Sequence, residues 1–163
     1  MFKIGDKVVY GQTGVCEISD ICEKELIRNQ KRRYYILKPF FQQNNIIYAP
    51  CDSDKVFMRY IMTKDEAEDL ISRIPHIKSS IKSENYDIEK LKEELRGHRC
   101  DDLISLTIRI YEKRKTAREN NKKIGFSDEK YMRLAEDLLF GELSVSLGIP
   151  KDNVQEYINN KLA

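Results

Sequence analysis

The chain has 163 residues, 40% of them hydrophobic and 34% charged, with a net charge of +2. That length holds one large or two small domains around a real core, while no stretch approaches the ~18 apolar residues of a membrane span and no leader pattern opens the chain, so it reads as soluble and cytoplasmic. The small net charge gives no argument for nucleic acid by itself, and four cysteines without a CxxC pair, beside the isolated His76 and His98, argue against a metal site.

Residues 1–61 read as β structure. Phe2, Ile4, Val8 and Tyr10 alternate as the inward face of an opening strand would. Gly5-Asp6 interrupts that run with a turn or bulge, and Gly11-Gln12-Thr13-Gly14 makes a tight connection to a second strand from Val15 to Ile21. Asn29-Gln30 is a plausible hairpin turn before Arg33–Leu37. Ile46–Ala49 forms a further strand closed by Pro50, which cannot donate to an interior ladder. Val56–Ile61 is the last. Five short strands with polar turns predict a small, strongly bent sheet or barrel.

The remainder reads as helical. Thr63 and Glu66 form a capping box, and Ala67, Leu70, Ile71 and Ile74 give an apolar face that is expected to stop before Pro75. A polar stretch over 76–85 places a domain boundary near 75–85. A second helix is expected over 86–95, with Ile88, Leu91 and Leu95 in register and Gly97 ending it. Asp101-Asp102 opens a third, apolar to Tyr111 and then so charged from Glu112 to Lys123 that it must leave the core. Ser127 is the expected N-cap of a fourth, with Phe126 and Tyr131 at staple spacing. Gly148 and Pro150 stop it, and a short helix through Val154, Tyr157, Ile158 and Leu162 ends the bundle. The fold class is α+β by segregated domains: a small N-terminal sheet followed by an all-α bundle.

Catalytic signatures are missing. No phosphate-cradling glycine loop, GxSxG, HExxH or acid-rich calcium loop occurs. Asp52 and Asp54 fall in a turn, and Cys51 has no histidine nearby in sequence. We therefore expect no enzymatic activity, no cofactor and no small-molecule substrate. Charge is unevenly spread: residues 96–123 hold nine Lys/Arg against four acids. Such a stripe suits a phosphate contact or a solvated helix end whose cations complement the dipole.

The opening Phe2–Tyr10, the Gly14-Val15 step, the Tyr34–Lys38 strand and the Pro50 after a strand together resemble the CarD/CdnL family of bacterial transcription regulators. Leu103-Ile104 with Arg109-Ile110-Tyr111, then Ala135-x-x-Leu138-Leu139-x-x-Glu142-Leu143, resemble that family's helical domain. The resemblance implies a Tudor-like module over 1–61 that binds the RNA polymerase β subunit, a linking helix at 63–74, and a helical domain over 76–163. That helical domain would contact promoter DNA at the upstream edge of the bubble and alter open-complex stability.

Carried onto this chain, the polymerase contact falls on Lys24, Glu25, Leu26 and Tyr48, in strands whose open edge could accept a partner strand. Tyr48 stands where the family has a second basic residue. DNA contacts fall on Tyr86, Lys90, Arg96, Arg99 and Lys130. This chain has no tryptophan, the family's wedge residue, and Tyr86 is the nearest aromatic. Two other readings of the residues stay open: a free nucleic-acid-binding module using 96–123, and a protein-interaction adaptor without a nucleic-acid role.

Overall fold

A computed structural model describes residues 1–81, 88–97 and 99–163. The chain divides into two units, Met1–Ile61 and Met62–Ala163. Five strands build the first: β1 Lys7–Tyr10, β2 Gly14–Ile27, β3 Gln30–Pro39, β4 Ile47–Pro50 and β5 Met58–Tyr60. They form one antiparallel sheet in the order β4-β3-β2-β1-β5.

Strand β1 begins only after the turn at Ile4-Gly5. Ile4 is consequently exposed rather than inward, while Val8 is fully buried. Phe2 still reaches the core, with its ring edge-on to Tyr35 and Tyr60. Val9 is buried too, and with both faces covered a simple alternation cannot hold. Val8, Cys16, Ile18, Tyr35, Leu37 and Ala49 make the core. Gly11 opens the single 3-10 turn between β1 and β2 at φ 47, a left-handed conformation that suits glycine. A Cβ there would meet Val56 Cγ1 at 2.8 Å.

Strand β2 is twice the expected length, and its register with β3 slips at two places. One slip lies between Ile18 and Asp20, where the Ser19 hydroxyl donates to the Ile36 carbonyl (3.1 Å). The other lies between Lys24 and Ile27, beside a hairpin turn at Arg28-Asn29 rather than Asn29-Gln30. Asn29 takes φ 62, which asparagine tolerates, and this brings Gln30 back into the ladder opposite Ile27. Each extra residue bends the strand and adds twist.

The second unit holds α1 Lys64–Ser80, α2 Ile88–Gly97, α3 Cys100–Glu119, α4 Phe126–Leu147 and α5 Val154–Leu162. The capping box forms as expected: the Thr63 hydroxyl accepts from the Glu66 amide (3.2 Å) and the Glu66 carboxylate from the Thr63 amide (2.7 Å). Helix α1 does not stop at Pro75 but runs through it. An internal proline forfeits one backbone bond, yet Ile74 and Ile77 both pack on the bundle core and hold the chain helical. The two units divide between Ile61 and Met62, and the polar stretch from 76 begins inside the second unit.

Among the described residues, Ile71, Leu95, Leu106, Ile110, Leu143 and Val154 are the bundle's most enclosed large apolar side chains. Helix α4 starts earlier than expected, with Gly125 rather than Ser127 at the N-cap. The N′ position is then Ile124, which packs on the core, and Phe126 is turned out to 84% exposure instead of stapling to Tyr131. Gly148, left-handed at φ 71, ends α4, and the Ser144 carbonyl accepts from the Gly148 amide (2.9 Å). Among the described residues no helix is long and apolar enough to cross a membrane.

Candidate functional site

In the first unit, Lys24 and Arg32 are cross-strand partners of β2 and β3, so both side chains leave the same face of the sheet. Tyr34 and Tyr48 follow on that face, because Tyr34 pairs with Pro50 and Ile36 with Tyr48. The ladder thus brings two expected residues together across a separation of 24. Lys24 Nζ donates to the Tyr48 hydroxyl at 3.0 Å and lies 4.5 Å from its ring centroid. This hydrogen bond holds the ammonium above the usual lysine range.

Tyr48 rests edge-on to the buried Tyr34, with ring centroids 6.4 Å apart. Beside them the Arg32 guanidinium donates to Asp52 at 2.7 Å and keeps that carboxyl below its ordinary range. The result is a small patch of one braced tyrosine and two cations, one of them neutralised. A braced aromatic beside a charge is the composition that anchors protein interfaces. Arg32 was not singled out from sequence and Asp52 was read there only as a turn residue; the register, with its two slips, brings the two together.

Glu25 plays a local part: its carboxylate accepts from the Asn29 amide (2.7 Å) and closes the hairpin. Leu26 is exposed. The expected open edge is more specific than the sequence suggested. Strand β2 lies inside the sheet at its first residues, Gly14–Glu17, which pair with β1. Among the described residues, the stretch from Asp20 to Ile27 pairs as a strand only with β3, so within the sheet its other margin is free.

In the second unit, Tyr86 lies outside the described residues. Lys90 and Arg96 are exposed on α2, and Arg99 is exposed at the N-cap of α3. Lys130 is exposed on α4, but at a different end of the bundle. Its neighbour Asp128 is bound by Lys113 at 2.6 Å, and Lys113 lies 13 residues along α3 from Cys100, a helical rise of about 20 Å. Arg96 and Arg99 therefore share a corner that Lys130 does not.

Glu142, quoted above for its spacing alone, is 1% exposed. Its carboxylate accepts from the Met62 amide (2.9 Å) and from the Cys100 thiol (3.3 Å), which ties the starts of the unit and of α3 to α4.

A family model for the CarD-like/TRCF RID domain matches residues 2–62, a span that coincides with the first unit to within one residue at each end. No curated protein matches the chain.

Proposed function

We propose, from the premise that residues 2–62 match a CarD-like/TRCF RID domain, that the chain is a bacterial, CarD-like transcription regulator in which the first unit docks on the polymerase β subunit. The helical unit then contacts promoter DNA near the upstream edge of the bubble and changes open-complex stability. The observation that carries this reading is the coincidence of the matched domain with a sheet that has a free margin on β2 and a Lys24–Tyr48 patch beside it. Main-chain pairing along such a margin supplies affinity, and side chains beside it supply choice of partner.

Lys90, Arg96 and Arg99 suit phosphate contacts, which are sequence-independent and salt-sensitive. Affinity for free DNA is expected to be low, because tethering through polymerase supplies a high effective concentration. The regulator acts by binding and does no chemistry of its own.

The test is capture of purified core polymerase by the tagged full-length chain. Lys24→Glu places an acid where the tyrosine hydroxyl held a cation, and capture is expected to fall at least tenfold with the melting temperature unchanged. Joint replacement of Lys90, Arg96 and Arg99 by alanine is expected to spare capture and to shorten or lengthen open-complex lifetime less than the parent does. Capture that Lys24→Glu leaves intact would remove this face from the interface.

A further inference from the structure

Among the described residues of the helical unit, Phe126 is the large hydrophobic most out of place, at 84% exposure on the first turn of α4. It is not loose. The residue two before it, Ile124, packs on the core, and two residues after it Asp128 is buried and held by Lys113. The connection before it is also tied down, since the Lys122 amide donates to the Ala117 carbonyl at 2.7 Å. A rigid frame thus presents an aromatic ring to solvent.

Its surroundings are cationic. Lys122 and Lys123 precede it in the connection, and Lys130 follows one helical turn later on the same side of α4. Arg118 closes the last turn of α3, with Lys115 one turn before. All five are exposed, and residues 113–130 carry seven Lys/Arg against three acids, one of which, Asp128, is already paired. Lysines alone would be an ordinary solvated helix end. A lone exposed phenylalanine would also be ordinary. The two together have one natural occupant: a polyanion whose unpaired bases offer a flat face to stack on.

We infer that the Phe126 end of the bundle is a second nucleic-acid contact, in which Lys122, Lys123 and Lys130 hold phosphates while Phe126 stacks on an unpaired base. The inference rests on the reading that the helical unit meets promoter DNA, and adds a site distinct from the Arg96–Arg99 corner. It also supplies the chain, which has no tryptophan, with an aromatic at a place other than Tyr86.

The absence of tryptophan makes the test direct. Phe126→Trp puts a single indole at the site in the full-length chain, to be titrated at low salt with a forked DNA bearing unpaired bases, with the matching blunt duplex, and with polyglutamate. Emission is expected to be quenched by the fork and little changed by the duplex or polyglutamate. Phe126→Ala is expected to weaken fork binding by roughly tenfold, the usual loss for one stacked base, and Lys122→Glu with Lys123→Glu to weaken fork and duplex alike.

Unchanged emission at saturation, equal quenching by polyglutamate, or full fork affinity in Phe126→Ala would overturn the inference. If Phe126 variants are silent while alanine at Lys90, Arg96 and Arg99 abolishes the promoter effect, this site fails and the broader reading stands. If none of these variants alters DNA binding with polymerase present, both fail.

Discussion

Replacing Glu142 by alanine probes the most enclosed polar group of the helical unit. Glu142 is 1% exposed and accepts from the Met62 amide and the Cys100 thiol. A hydrogen bond from an amide to a charged acceptor contributes about 1.5–3 kcal/mol, and a thiol donor less. Loss of a buried methylene adds about 0.8 kcal/mol, and the incompletely filled space adds to that. The expected cost is therefore about 4 kcal/mol. For a unit of about 100 residues that lowers the melting temperature by roughly 15–20 °C.

The assay is thermal unfolding followed by circular dichroism at a helical wavelength, on the full-length chain. Glu142→Gln, which keeps the shape and an oxygen for the Met62 amide, is expected to lose about half as much. A fall below about 5 °C for Glu142→Ala would mean that the cost of burying the carboxylate offsets its bonds, and the reasoning would fail.

Three further outcomes follow from local geometry. Gly11→Ala forces a β-carbon into a left-handed residue and against Val56, so chemical denaturation of the first unit is expected to show a loss of about 1–2 kcal/mol. Thr63→Ala removes half of the capping box and is expected to cost about 1 kcal/mol in the same measurement on the helical unit. Burial pushes the Cys16 thiol up to about 11 from 9.0. Because its folded value lies above its unfolded one, the stability it contributes is full below pH 9 and is lost as pH rises toward 11. Unfolding curves over that range should show this, and Cys16→Ala should flatten it; Cys16 should also be the slowest of the four thiols to react with iodoacetamide at pH 8.5.

What the sequence disclosed was local. The Thr63–Glu66 box and the Gly148 stop each depend on residues within a turn or two and stand as read, and the exit of α3 from the core differs by one residue, because Ile110 is buried and Tyr111 already exposed. What it withheld depended on distant packing. Pro75 looked like a stop because the pull on Ile77 comes from the bundle core. Phe126 looked like a staple because a shift of the N-cap from Ser127 to Gly125 is invisible until Ile124 is seen to be anchored. Lys24 and Tyr48 were picked out one by one, but their contact needs the register of three strands and two bulges. The tryptophan's absence was plain from the start; an alternative aromatic was legible only as exposure.

The free stretch of β2 has a consequence for how the molecule behaves among its own copies. A run of main-chain groups without a strand partner invites self-association into pairs or fibres; in this stretch the Ile21 amide is taken up locally, by the Asp20 carboxylate. Here Glu23, Lys24 and Glu25 interrupt that stretch with alternating charge, and the bulge ahead of Ile27 warps it. A second copy arriving antiparallel would set acid near acid, whereas a strand of complementary charge would meet no such barrier. The same three side chains that leave the margin open to a foreign strand thus act as gatekeepers against an identical one.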